Sequence, residues 1–124
     1  MNHDFRPAGQ HLLADLYGID AFLLTDAVGI DALLRGAAQA AGARILHSHF
    51  HTFGDGQGVT GVLLLAESHI SIHTWPEHGF AAADIFMCGG AQPELALRVI
   101  EAALQPAARE VQAIGRGIAL RQAN

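Results

Sequence analysis

The sequence predicts an α+β domain with two layers, in which two helices cover one face of a mainly antiparallel sheet. Segments with strand-like apolar patterns outnumber helical ones, and short loops such as residues 54–58 (GDGQG) are typical of hairpins. Only two segments have apolar residues at the three- and four-residue steps of a helix. Since two helices can cover one face only, the other face is left to solvent or to a second copy of the chain.

The elements can be placed along the chain. The predicted strands are residues 10–17, 44–53, 59–66, 80–88 and 110–114. The third is the most apolar, so we expect it to be the central strand. The first helix is predicted to start at a cap formed by Thr25 or Asp26 and to end at Gly42. The second has Pro93 in its first turn and stops before Pro106.

Length and composition limit the classes of protein. The 124 residues suffice for one domain, and no apolar run approaches the roughly 20 residues of a membrane span. The formal charge is −5 and every basic residue is a scattered arginine, which argues against nucleic acid as a partner. The single cysteine excludes an internal disulfide. With no secretory signal visible at the N-terminus, we expect a soluble, cytoplasmic protein.

Three alternating histidines raise the question of a metal site. His47, His49 and His51 would share one face of a strand and could bind zinc. No carboxylate or cysteine stands at ligand spacing beside them, so half-exposed polar positions are the favoured interpretation and we predict no metal. Asp84, inside an apolar strand, is either a paired buried carboxylate or an outward-facing one, and its role stays open.

Residues 67–77 (ESHISIHTWPE) concentrate groups that can do chemistry. A hydroxyl, an imidazole and a carboxylate follow an apolar strand, and the only thiol, Cys88, lies one short strand further on. Two interpretations compete. The segment is either a sheet edge with satisfied polar residues or a reactive centre formed from the chain itself.

Residues 66–77 (AESHISIHTWPE) and 81–89 (AAADIFMCG) resemble the prokaryotic S-adenosylmethionine decarboxylase proenzyme family in its short form. The first of these strings is long and specific. Further similarity is found upstream at residues 9–15, 49–53 and 58–62. The resemblance therefore extends from about residue 9 to residue 114, with every motif in the family's order.

The resemblance implies a proenzyme that cuts itself between Glu67 and Ser68, giving a β chain, 1–67, and an α chain, 68–124. The Ser68 hydroxyl would attack the Glu67 carbonyl, and Ser68 would become a covalent pyruvoyl cofactor. His73 matches the histidine that handles the proton in this processing. Thr60 matches a processing position that is often serine, and threonine keeps the hydroxyl.

The resemblance also implies a substrate and an assembly. The pyruvoyl ketone would form a Schiff base with S-adenosylmethionine, and Cys88 would protonate the carbanion left by carbon dioxide. Phe53 would stack on the adenine, and Glu77 would bind the ribose hydroxyls. The expected product is the aminopropyl donor for spermidine synthesis, made by a homodimer that joins through its sheets and shares its active sites.

Two alternatives stay open at this point. The same pyruvoyl chemistry serves relatives that act on L-arginine or L-ornithine, and the processing motif does not distinguish these substrates. More remotely, the chain could be an uncleaved metal-binding module that uses its alternating histidines.

The spacing of Ser68 and His73 imposes one geometric condition. The two residues are five apart, so a straight strand would place their side chains on opposite faces. If they cooperate, we expect a bend or a bulge between them, and a straight backbone there would count against the cooperation.

Overall fold

The computed structural model describes residues 8–117, which form one six-stranded sheet with helices on one face. The strands are β1 (Gly9–Tyr17), β2 (Ile45–Thr52), β3 (Val59–Leu65), β4 (Ser68–Trp75), β5 (Phe80–Cys88) and β6 (Ala108–Arg116). The helices are α1 (Ala21–Leu24), α2 (Ala27–Ala41) and α3 (Pro93–Leu104), and Pro76–His78 form a short 3-10 turn. The strand order is β2-β3-β4-β5-β1-β6, with every neighbouring pair antiparallel. The predicted α+β architecture is confirmed.

The helix boundaries follow from the residues that cap them. Asp26, rather than Thr25, caps α2, because its carboxylate accepts a hydrogen bond from the Gly29 backbone N–H at 3.0 Å. Gly42 ends the helix in the left-handed conformation, with φ of 82°. Pro93 occupies the first turn of α3, as the sequence predicts, and the helix ends at Leu104.

The two faces of the sheet differ in composition. On the side that the helices cover, here called the covered face, buried aliphatic residues alternate along each inner strand, and β5 contributes Ala81, Ala83, Ile85 and Met87. The buried apolar residues of α2 and α3 complete this core. The opposite side, here called the open face, carries polar and aromatic side chains, and no described element covers it.

Two expectations about the order of the strands are wrong. β3 is second from one edge, whereas β4 and β5 are central. The alternative in which the segment at 67–77 lies at a sheet edge fails for the same reason, because β4 has a neighbour on each side. A long apolar run indicates burial on the covered face, but it does not say which strands lie beside it.

Two further expectations concern the chain ends and membranes. The last strand is longer than predicted and forms the second edge of the sheet, next to β1. Among the described residues no helix is long and apolar enough to span a membrane. The absence of a signal sequence concerns residues 1–7, which lie outside the described part of the chain.

Candidate active site

The turn between β3 and β4 holds the predicted cleavage bond in a strained conformation. Glu67 has φ of 61°, in the left-handed region that residues with a Cβ rarely adopt. Such a conformation costs about 1–3 kcal/mol. Ser68 follows as the first residue of β4, at the end of the sheet where β5 finishes with Cys88.

Cys88 contacts both residues of that bond. Its thiol donates a hydrogen bond to the Glu67 carbonyl oxygen at 3.1 Å, and its backbone N–H donates to the Ser68 hydroxyl at 3.2 Å. A donor at the Glu67 oxygen would stabilise negative charge developing there. The hydroxyl of Ser68 is therefore held next to a polarised carbonyl. Cys88 also lines an open cleft of about 670 Å³. We call Glu67, Ser68 and Cys88 the cleavage half-site.

A second group lies at the other end of β4. Thr60 and His73 are register partners on β3 and β4, and the Thr60 hydroxyl lies 3.1 Å from His73 Nδ1. The two residues border a cleft of about 280 Å³ that Phe53 and Glu77 also line. The Phe53 ring is 63 % exposed and therefore free to stack on a flat ligand. We call these four residues the binding half-site.

The two half-sites are far apart within one chain. β4 pairs with β3 from Ser68 to His73 and with β5 from His69 onward, without a register shift, so the expected bend or bulge is absent and that prediction is wrong. Five residues of strand span roughly 17 Å. One described chain therefore brings Ser68 together with Cys88, and His73 with Thr60, but it does not bring these pairs to each other.

The alternating histidines do not gather into a metal site. His47, His49 and His51 are all exposed on the edge strand β2. Within residues 8–117, the only group of three side chains whose possible ligand atoms lie mutually close is His11, His69 and Asp84. The three alternating histidines are therefore not part of that group.

Sequence reasoning missed the cluster of His11, His69 and Asp84. Its members come from β1, β4 and β5, and Asp84 contacts His11 directly on the open face. This settles Asp84 as a paired carboxylate on the outward face. His11 and His69 both lie within the motifs that carry the family resemblance, and that is the one signal the sequence offers for them.

Comparisons with known proteins agree with the motifs. The family model described as S-adenosylmethionine decarboxylase matches residues 10–117. The S-adenosylmethionine decarboxylase proenzyme of Sulfurihydrogenibium sp. (strain YO3AOP1) is 47 % identical over 111 residues, which cover 89 % of this chain and 83 % of that protein. The proenzyme of the same name from Methanococcus maripaludis is also 47 % identical over 111 residues, covering 89 % and 90 %.

The fold has a close counterpart among solved structures. The crystal structure of the adenosylmethionine decarboxylase from Aquifex aeolicus superposes with a TM-score of 0.82 at 43 % sequence identity, covering 90 % of this chain and 92 % of the other. The fold, the sequence motifs and the similarity to these proteins together assign the chain to a class of decarboxylases. The chain belongs to the S-adenosylmethionine decarboxylase family.

Proposed function

We propose that this protein is an S-adenosylmethionine decarboxylase, made as a proenzyme that cuts itself between Glu67 and Ser68. The observation that carries the proposal is the double contact of Cys88, whose thiol donates to the Glu67 carbonyl while its N–H holds the Ser68 hydroxyl. A nucleophile, an electrophile and an oxyanion donor thus meet at one peptide bond. Such an arrangement has no evident value for a turn that is only structural.

The first step converts the peptide into an ester. The Ser68 Oγ forms a bond to the Glu67 carbonyl carbon and loses its proton, and the bond from that carbon to the Ser68 nitrogen breaks as the nitrogen takes up a proton. The Cys88 thiol stabilises the negative charge that develops on the Glu67 oxygen. Cutting the chain also releases Glu67 from its left-handed conformation, which favours the reaction.

The second step is an elimination that needs a base. Removal of the Ser68 α-proton breaks the bond between Cβ and Oγ, and Glu67 leaves as a carboxylate, the new end of the β chain. Water then displaces the residue 68 nitrogen as ammonia, leaving a ketone at that position. No oxidant or reductant is required. The natural base is the imidazole of His73, which Thr60 orients through the contact at Nδ1.

Because His73 of the same chain lies too far from Ser68, we infer that a second copy supplies it. Two chains that pack their open faces together in opposite directions would bring the cleavage half-site of one against the binding half-site of the other. The open face is suited to this, since it leaves Leu64 45 % exposed and has no cover within residues 8–117. The working unit is then a homodimer of processed β and α chains.

The substrate assignment follows from the family and from the binding half-site. The pyruvoyl group at residue 68 supplies an electrophilic ketone that accepts electrons as carbon dioxide is lost. Cys88, on the same strand end, is placed to donate a proton to the product carbon. Phe53 offers a ring face for adenine and Glu77 a carboxylate for the ribose hydroxyls, which favours a nucleoside over L-arginine or L-ornithine. The product would serve as the aminopropyl donor in spermidine synthesis, in the cytoplasm.

The first test is the mass of the purified, denatured protein. We expect two fragments, residues 1–67 and 68–124, with the second blocked to amino-terminal sequencing. Ser68→Ala should leave one intact chain, whereas Ser71→Ala, on the same strand, should cut like the wild type. Turnover of S-adenosylmethionine but not of L-arginine or L-ornithine should follow. A wild-type chain that stays intact after long incubation would overturn the proposal.

A further inference from the structure

Four polar side chains form a line across four neighbouring strands of the open face. They are Arg116 on β6, His11 on β1, Asp84 on β5 and His69 on β4. Each contacts the next, and the line ends at the residue that follows Ser68. The self-cleavage chemistry described above uses none of these side chains.

The first contact fixes where His11 carries its proton. The Arg116 Nη1 atom lies 3.3 Å from His11 Nδ1, and a guanidinium can only donate. His11 Nδ1 is therefore the acceptor, so the ring proton is on Nε2. That proton is donated to Asp84 Oδ1.

The same contact argues against a metal ion in this cluster. The possible ligand atoms of His11, His69 and Asp84 lie within 4.8 Å of one another, which a divalent ion could bridge. A histidine that binds a metal normally donates its second ring N–H to an acceptor. His11 instead faces the guanidinium of Arg116 there, and this donor fits a hydrogen-bonded imidazole better than a metal ligand.

Asp84 in turn restrains His69. Its Oδ1 atom lies 3.6 Å from His69 Nε2, so the carboxylate faces the outer nitrogen of the ring. The Phe86 ring packs against both imidazoles, with its centroid 5.5 Å from His11 and 5.8 Å from His69, and the two imidazole centroids lie 6.1 Å apart. The His69 side chain is therefore held on one side by a charge and on another by an aromatic ring.

This restraint acts at the residue that must hold the new chain end. Ser68 pairs only with Leu65 of β3, whereas pairing with β5 begins one residue later, at His69. After cleavage, residue 68 has no covalent link to Glu67 and is attached only to the His69 nitrogen. His69 is then the first residue of β4 that strands hold on both sides.

We propose that Asp84 is a positioning residue that anchors the processed end of β4. Held by His11 and Arg116, it fixes the His69 imidazole and so the orientation of the pyruvoyl group attached to that residue. The inference rests on the proposed self-cleavage. Its role begins only after the chain is cut, because the intact turn at Glu67 tethers residue 68 before then.

Asp84→Asn tests the anchor, since it keeps the size of the side chain and removes its charge. Cleavage should still go to completion by mass. In the processed protein, hydrogen exchange should become faster for the first amides of β4 and stay unchanged in β1. We expect kcat to fall about tenfold, because a small misplacement of reacting groups is costly, with KM within about twofold. Asp15→Asn is the matched control, because Asp15 is also a carboxylate on the open face but lies on β1. It should behave like the wild type.

A double-variant cycle separates an anchor from general damage. His69→Gln should lower kcat as much as Asp84→Asn, and the two changes together should lower it no further, because one acts through the other. Three results would overturn the anchor and leave self-cleavage intact. The kcat losses of the two single variants could multiply in the double variant, hydrogen exchange could become faster throughout the sheet, or the Asp84→Asn enzyme could keep the wild-type kcat. If the wild-type protein held stoichiometric zinc and the Asp84→Asn variant held none, the cluster would be a metal site instead. An uncut wild-type chain would overturn both proposals.

Discussion

The covered face and the open face of one sheet do different work, although their residues alternate along the same strands. On the covered face of β4, Ile70 and Ile72 are fully buried, and the one buried polar residue, Thr74, has hydrogen-bond partners. Its hydroxyl donates to the Leu24 carbonyl at 2.7 Å and accepts from the Val59 N–H at 2.8 Å. On the open face of the same strand stand His69 and His73. Neighbouring residues in sequence therefore alternate between the buried core and the polar open face.

The two half-sites lie at opposite ends of β4, and the binding half-site is the one whose His73 stands on the open face. The distance between the half-sites decides whether one chain can cleave itself or whether two chains must cooperate. In the homodimer proposed above, each cleavage bond meets the His73 of the partner. The largest effect we predict follows from this arrangement.

Chains that carry His73→Ala and chains that carry Ser68→Ala should each stay intact alone, because the first lacks the base and the second the nucleophile. Produced together with different tags, they should form mixed pairs in which the His73→Ala chain is cut. Random pairing of equal amounts would process about half of the His73→Ala chains. The intact mass of each tagged chain measures this fraction.

The control for this experiment is a mixture of two differently tagged Ser68→Ala chains, which should show no cleavage. If the His73→Ala chain stays uncut in the mixture although mixed pairs can be isolated, His73 acts within its own chain. The separation of the half-sites along β4 would then have to close by a rearrangement of the strand.

Adjacent leucines on β3 compare the two faces directly. Leu63 is completely buried on the covered face, so Leu63→Ala should lower the free energy of unfolding by about 2–5 kcal/mol through the cavity it leaves. Leu64, on the open face, is 45 % exposed, so Leu64→Ala should cost less than about 1 kcal/mol in dilute protein. Urea denaturation measures both changes.

The open-face variant should show its effect in association. Leu64→Ala should raise the concentration at which the chains dissociate, as measured by sedimentation, whereas Leu63→Ala should act mainly on unfolding. A Leu64→Ala protein that associates like the wild type would remove that side chain from the proposed interface.

The same division explains which features can be predicted from the sequence. The covered face imposes alternation on β5 and a helical stripe on α2, so the sequence predicts both elements correctly. The predicted position of β3 is wrong because pairing between distant segments leaves no local signal. The motifs also predict, through resemblance, that Ser68 and Cys88 are reactive residues. That the Cys88 thiol faces the Glu67 carbonyl depends on the pairing of β4 with β5, and this only the structure provides.

The open-face cluster shows the same limit more strongly. His11 and His69 are far apart in the chain, and both oppose Phe86 in the register of β5. Each histidine alone is an ordinary half-exposed residue. Their common contact, Asp84, acquires a role only when three strands are known to be neighbours.

The smallest predicted effect concerns Tyr17, at the end of β1 on the open face. Its hydroxyl donates to Glu110 Oε1 on β6 at 3.0 Å, and its ring packs on Phe80 with centroids 5.1 Å apart. The hydrogen bond to Glu110 raises the pKa of Tyr17 above its ordinary value of 10.0, with smaller contributions from desolvation and from the charges of Glu110 and Asp15. A pKa that is higher in the folded state means that the neutral hydroxyl stabilises the fold.

This contribution is fully present below pH 10 and is lost as the pH rises through the folded-state pKa. Tyr17→Phe keeps the ring and removes the hydroxyl, so it should lower Tm by no more than about 4 °C at pH 8. The difference between variant and wild type should shrink in buffers above pH 10. Leu63→Ala is the control, because the aliphatic contacts of the covered face do not titrate and its Tm difference should stay constant over the same range. If the Tyr17→Phe difference also stays constant, the hydroxyl does not couple β1 to β6, and the stabilising part of Tyr17 is its ring.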